Sequence, residues 1–266
     1  MADASHSPAV GAKAKPTTSK GSPPAKRGSV DLELPRGTDS SGEHCWCQLD
    51  ASKFEVRGAN YLADRVKSPS TQAIFQMAHA EMYSTEKPQS KIAERPDGWL
   101  KAARAKGDTR FYLIVAYQCP SGSRTVMVNL YFAVEEGAPA KYPEFAKVWQ
   151  AFLAEGDEYR NARWKVIPAI SEGAWLVQKA VGTKPALLAT KLTHTWHQTE
   201  HYIEADCDVA SSSMASTLVN MLQSYAKSLV IDLGFAIEPR DVSELPEHVL
   251  GSVQLCHIDL SAAPNL

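Results

Sequence analysis

The sequence predicts an α+β fold: a largely antiparallel β-sheet curved around a long helix, in a single domain behind a disordered N-terminal tail. Three observations carry this. Many short segments with two-residue alternation or continuous apolar character are separated by turn-forming residues, and only two long segments have sustained helical spacing. Every aromatic residue lies beyond position 44 of the 266. No internal repeat interrupts the series.

Residues 1–44 contain no Phe, Trp, Tyr or Ile and are crowded with Ser, Ala, Pro, Gly and Lys. Such a segment buries too little apolar surface to offset chain entropy. Its first thirty residues carry Lys13, Lys15, Lys20, Lys26 and Arg27 against Asp3, which makes a basic arm. A solvated tail, an organelle transit peptide and a tether to an anionic membrane surface all fit that composition.

The domain spans 45–262, with 263–266 as a short C-terminal tail. Residues 46–50 and 54–57 read as short strands and 74–83 as a longer one. The stretch 111–117 is apolar on both parities, so neither of its faces meets much water. Pro120, Ser121, Gly122 and Ser123 supply turn chemistry, and 125–134 runs back with Val126, Val128, Leu130, Phe132 and Val134 on one face. A helix over 142–153 places Phe145, Val148, Trp149 and Phe152 on one side and stops at Gly156.

Strands follow at 164–170, 175–181, 187–196 and 202–209. Ser211, Ser212 and Ser213 offer capping hydroxyls to a helix of about four turns whose face carries Met214, Leu218, Met221, Leu222 and Tyr225. Alternation over 229–237 and 253–260 closes the series.

Composition excludes several functions. Lys and Arg total 28 against 30 Asp and Glu, a net charge of −2, which leaves no global field for a polyanion, so no nucleic-acid partner is expected. No apolar run approaches the ~20 residues that span a bilayer, and the first thirty residues lack a hydrophobic signal core, so a cytoplasmic location is expected. Five cysteines, an odd number in a chain this long, fit a reducing compartment. Cys45 and Cys47 would share one strand face as small buried hydrophobes, with no second pair at zinc-finger spacing. There is no G-x-G, no G-x-x-x-x-G-K-[ST], no G-x-S-x-G and no H-E-x-x-H, so the familiar phosphate loops, nucleophile elbow and zincin helix are absent.

Two constellations remain. His194, His197 and His201 would share a face on a helix, but their Thr-rich, alternating surroundings predict strand, turn and strand, with His194 and His197 on opposite faces. Glu204, Asp206 and Asp208 alternate on one strand face, where they could work as acid and base, hold a cation, or be solvated and cap the next helix. Lys101 and Arg104 lie on a short helix between Asp97 and Gly107 beside Trp99, a composition suited to a membrane surface or to a solvated face.

Seven stretches in order, at 54–65 (FEVRGANYLADR), 156–168 (GDEYRNARWKVIP), 173–182 (GAWLVQKAVG), 184–188 (KPALL), 202–212 (YIEADCDVASS), 244–247 (ELPE) and 255–260 (LCHIDL), resemble the C-terminal domain of the plant enhanced-disease-resistance-two proteins. The resemblance covers about residues 45–262. It implies association with membranes and lipid-linked regulation of defence and cell death. In that family the domain follows a pleckstrin-homology domain and a START lipid-transfer domain. This sequence has room for neither, so phosphoinositide targeting through them is not carried over, and the family supplies no catalytic residues to transfer.

The expected function is non-enzymatic binding of a lipid or other apolar ligand, such as an isoprenoid or pigment, with peripheral membrane contact. No cofactor or metal is expected. Tyr112, Ile114, Val128, Leu130, Trp175 and Val177 would wall the cavity, Met214, Leu218 and Leu222 would form its helical side, and Arg57 or Arg160 would meet the headgroup. Core packing is the alternative for each. The rival functions are a protein-interaction module with a filled interior and an exposed apolar patch, and an enzyme in which Glu204, Asp206 and Asp208 converge with a histidine in a cleft.

Overall fold

A computed structural model describes residues 31–266. Among them are twelve strands: β1 (Cys45–Gln48), β2 (Glu55–Arg57), β3 (Lys67–Pro69), β4 (Gln76–Thr85), β5 (Phe111–Ser121), β6 (Arg124–Val134), β7 (Trp164–Glu172), β8 (Ala186–Leu187), β9 (Thr193–Gln198), β10 (Tyr202–Asp208), β11 (Val230–Ile237) and β12 (Val249–Cys256). Six helices accompany them: α1 (Tyr61–Asp64), α2 (Trp99–Ala105), α3 (Pro143–Ala154), α4 (Asp157–Arg163), α5 (Trp175–Val181) and α6 (Ser213–Tyr225).

The strands form two five-stranded sheets, in the orders β1-β12-β11-β7-β8 and β4-β6-β5-β10-β9, with β2 and β3 as a separate ribbon. All pairings are antiparallel except β5 with β10. The α+β class holds, but one curved sheet is replaced by two.

One core joins the sheets. Met77 and Met82 of β4, Val126 to Val134 at alternate positions of β6, Trp164 of β7, Phe235 of β11 and Leu250 and Val253 of β12 share it with Phe145, Val148, Trp149 and Phe152 of α3. The Phe132 and Phe235 rings meet edge to face at 5.5 Å, and Trp164 stacks on Phe235 at 5.5 Å. Helix α3 therefore supplies the buried helical face, as its spacing predicts. Helix α6 does not: none of its residues is fully buried, and only Ala215 and Val219 pack against this core.

The opposite face of the β5–β6 pair is covered too. Tyr112, Ile114, Ala116, Met127, Tyr131 and Ala133 form a second core with Ile92, Ala93, Leu100 of α2 and Tyr202. The double-sided apolar pattern of 111–117 thus records a central strand covered twice. On β10 the same parity puts Ile203, Ala205 and Cys207 inward and Tyr202, Glu204 and Asp206 outward, under the segment around Ile92.

In this second core His79 of β4 is 4 % exposed, stacked on Trp99 at 4.4 Å and 5.5 Å from Tyr131. Burial pushes its pKa down to about 4, with Asp31 opposing and Arg95 reinforcing the shift. A folded-state pKa below the unfolded value of about 6.5 means that stability is fully present above pH ~6.5 and lost as pH falls toward 4, by roughly 3 kcal/mol. Denaturation midpoints of the wild type and His79→Phe, followed from pH 7.5 to 4, are expected to converge or cross by that amount. A constant gap would show that this ring carries no such linkage.

Four expectations need correction. Residues 31–44 are not tail: Leu34 is buried, its amide donates to Ala80, and Gly37 donates to Trp46 across the edge of β1. Residues 263–266 are docked as well, with Leu266 donating to Ser84 and Ser84 donating to Pro264. The reading of the basic arm at 1–30 lies outside the described residues. Residues 175–181 are helix α5 rather than a strand. Gly173 (φ 142°) and Gly182 (φ 65°) sit in backbone regions that L-residues rarely enter, so they break the extended chain on both sides, and Val177 alone is buried between them. Within 187–196 a 3-10 turn at Leu188–Thr190 interrupts the predicted strand and leaves β8 and β9 as separate pieces.

Candidate functional site

The residues predicted to wall a cavity are scattered. Tyr112 and Ile114 lie in the outer core, Val128 and Leu130 in the core between the sheets, on opposite faces of the same sheet. The Tyr112 hydroxyl donates to Asp108 at 2.6 Å, and Arg110 donates to that hydroxyl at 2.9 Å. Val177 is buried, whereas Trp175 and Met214 are 69 % and 67 % exposed, and Leu218 and Leu222 are half-buried. These side chains do not enclose a shared space, and the layers on both faces of the sheet are filled by packed rings.

Neither arginine is free for a headgroup. Arg57 pairs with Glu238 at 2.7 Å and donates to the Pro239 carbonyl at 2.6 Å. Arg160 is buried and donates to the carbonyls of Phe152 (2.9 Å) and Leu153 (3.0 Å), to Asp157 (2.9 Å) and to Gln198. Its guanidinium satisfies carbonyls in the last turn of α3, where a cation also complements the helix dipole.

Two features carry functional chemistry. The first is polar. Asp206 and Glu204 point to the outer face of β10, and His197 joins them from β9, paired to β10 at Glu204. His197 Nε2 lies 3.0 Å from Asp206 Oδ2 and 2.8 Å from Ser90 Oγ, and Ser90 donates to the same Asp206 oxygen. The two Glu204 oxygens accept from the amides of Ile92 (2.7 Å) and Ala93 (2.9 Å). Burial, and then the neighbouring Asp206, push the Glu204 carboxyl up to about 8. Ser90 opens onto a cleft of about 450 Å³ that is also lined by Gln89, Lys91, Ile92, Glu94 and Arg95.

Ser90, His197 and Asp206 have the composition of a hydrolytic triad without its connectivity. In a triad the carboxylate holds one ring nitrogen while the other takes the serine proton. Here Ser90 and Asp206 meet the same nitrogen, so this geometry cannot relay a proton from serine through the ring toward the acid. Asp208 stays outside the cluster and accepts from the Ala210 amide at 2.9 Å, which caps the 3-10 turn at Val209–Ser211, while α6, the helix it was expected to cap, is capped by Ser212. The expected convergence of Asp208 with its neighbours therefore fails.

The second feature is apolar. Helices α5 and α6 adjoin one another, and Trp175, Leu176 and Met214 are exposed on them, with Tyr225 partly so. Residues 173–191 and 209–229 together contain four lysines (Lys179, Lys184, Lys191, Lys227) and no carboxylate. The Lys179 ammonium sits 5.0 Å from the Trp175 ring centroid.

The histidines follow the predicted strand, turn and strand. His194 faces inward, with Nε2 3.2 Å from Cys207 Sγ, while His197 faces the carboxylates and His201 is exposed in the turn. Cys45 and Cys47 are buried as expected, and the fold adds Cys256, which brings three sulfurs within 4.8 Å of one another.

Ser90, from the 86–91 loop, was invisible to sequence reasoning because it meets His197 across 107 positions. The only local sign was the alternation of acids on β10. Among the described residues no helix is long and apolar enough to cross a membrane.

Fold and surface together define an α+β domain with two sheets, a packed core on each face of the β5–β6 pair, an outward-facing apolar helix pair and a buried histidine–carboxylate cluster. The chain belongs to the family described as "Protein ENHANCED DISEASE RESISTANCE 2, C-terminal", which it matches over residues 46–259. It is 29 % identical over 230 residues to the Arabidopsis thaliana "Protein ENHANCED DISEASE RESISTANCE 2-like", covering 86 % of this chain and 31 % of that protein. The chain thus spans about a third of the length of this relative. No solved structure matches it.

Proposed function

We propose that the chain is a non-catalytic lipid-binding module that meets an anionic membrane surface through α5 and α6. The observation that carries this reading is the exposure of Trp175, Leu176 and Met214 on adjoining helices, in two segments whose own residues include lysines and no carboxylate, Lys227 being paired with Asp259 at 2.9 Å. Trp at the level of the headgroups, apolar chains below it and lysines among the phosphates is the arrangement by which interfacial helices bind. Lipid contact is thereby moved from an interior cavity to a surface, which agrees with the packed core.

Burial of one large apolar side chain is worth roughly 1.5–3 kcal/mol, so replacing two is expected to weaken binding by about a hundredfold or more. The test is co-sedimentation with vesicles of phosphatidylcholine alone or with phosphatidylserine. The wild-type chain is expected to pellet with the anionic vesicles and be released by salt, and Trp175→Asp/Leu176→Asp, with unchanged far-UV circular dichroism, to stay in solution. Equal recovery of both proteins in the pellet, or no pelleting of the wild type, would overturn the reading. The second outcome would leave the patch as a contact for another protein.

A further inference from the structure

We propose that His197, Glu204 and Asp206 form a binding site for one divalent transition-metal ion of the zinc and manganese class. Each side chain offers one ligand atom, and these atoms lie within 4.8 Å of one another. Around a tetrahedral ion with bonds of about 2.0–2.1 Å, neighbouring ligand atoms stand roughly 3.3 Å apart. His197 Nε2 and Asp206 Oδ2, at 3.0 Å, are already close to that spacing.

A second, independent observation points to a missing positive partner. Asp206 is 3 % exposed, and its Oδ1 is buried without a hydrogen-bond donor among the described residues. Glu204 is fully buried beside it. Burying a carboxylate oxygen without a donor is costly. Among the described residues no Lys or Arg lies within ion-pair distance of Asp206, and its partner there is the His197 ring. A divalent ion held by the Asp206 carboxylate would supply the positive partner that group lacks.

The donor set selects the class of ion. One imidazole and two carboxylates suit zinc, manganese or ferrous iron, whereas calcium takes six to eight oxygens. Strand pairing fixes the ligands: Glu204 and Asp206 alternate on one face of β10, and His197 lies opposite Glu204 on β9. The amides of Ile92 and Ala93 orient the Glu204 carboxylate while leaving lone pairs for a metal. Ser90 stands between the cluster and the 450 Å³ cleft, which provides the entry path.

The test uses the full chain stripped with a chelator and then titrated with Mn²⁺, free ion being read by electron paramagnetic resonance. Manganese separates this site from the Cys45, Cys47 and Cys256 sulfurs, because it favours oxygen and nitrogen donors over thiolates. One ion per chain is expected, displaced by Zn²⁺, with affinity reduced at least about tenfold in Asp206→Asn and in His197→Gln. His197 is only half-buried, so His197→Gln keeps the question open to measurement if Asp206→Asn does not fold. No stoichiometric uptake at about 1 mM Mn²⁺, or equal uptake by wild type and a folded variant, would overturn the proposal.

Discussion

Phe132→Ala is expected to destabilise the protein by about 3–5 kcal/mol, a large share of the 5–15 kcal/mol typical of a folded domain. Phe132 is fully buried near the C-terminal end of β6, and its ring meets the other sheet edge to face against Phe235 at 5.5 Å. The sheets approach so closely because β12 presents a glycine there. A Cβ on Gly251 would stand 2.5 Å from a ring carbon of Phe132. Gly251→Ala should therefore cost about 1–3 kcal/mol by overpacking. Adding Phe132→Leu, which withdraws the ring, should recover part of that loss. Guanidinium denaturation of the four proteins measures this, and a cost below about 1 kcal/mol for Phe132→Ala would mean the site collapses freely.

The second large effect lies in the ionic network at the end of β7. Lys165 and Glu247 are both 4 % exposed and paired with each other. Glu247 also accepts from the Arg57 amide at 3.0 Å, and Glu238 lies 3.9 Å from Lys165. Burial lowers the Lys165 pKa while Glu247 opposes that shift. Removing one member leaves the other charged in a nonpolar setting, so Lys165→Met is expected to cost about 3–5 kcal/mol. Glu247→Gln should cost less, because Glu238 remains near the ammonium. The double change Lys165→Met/Glu247→Leu should be close to wild type, since exchanging a buried pair for apolar residues is often neutral. A double-mutant cycle from denaturation midpoints reads the coupling, and additive losses would show that the two charges do not depend on each other.

Much of the fold was legible because burial leaves a periodic trace. The alternate valines and Phe132 on β6, the double-sided run on β5 and the Phe145, Val148, Trp149, Phe152 stripe each read as the structure has them. Where periodicity was short, it misled. Seven residues from Trp175 to Val181 are rich in strand-forming types, and the deciding information lay in the glycines on either side. The apolar spacing of α6 was real, but a stripe does not say what covers it, and Met214 remains exposed.

The site was legible only in fragments. The alternation of Glu204 and Asp206 was visible, and so was the split of His194 from His197, yet their convergence with Ser90 depends on pairings between distant strands. Arg57 and Arg160 were misjudged for a related reason. A lone arginine has the same appearance in sequence whether it meets a phosphate or binds its own chain's carbonyls, and here both do the latter.

The position of β12 governs how this chain is made. It lies between β1 and β11, and Cys45 of β1 pairs with Cys256 near the C-terminus. On a ribosome adding 5–20 residues per second, the first strand waits about 10–40 s for its neighbour to emerge. During that interval Trp46 and two thiols stand uncovered on a nascent chain, exposed to oxidation and to sticking. The sheet that holds β1 can therefore close only after β12 has been made.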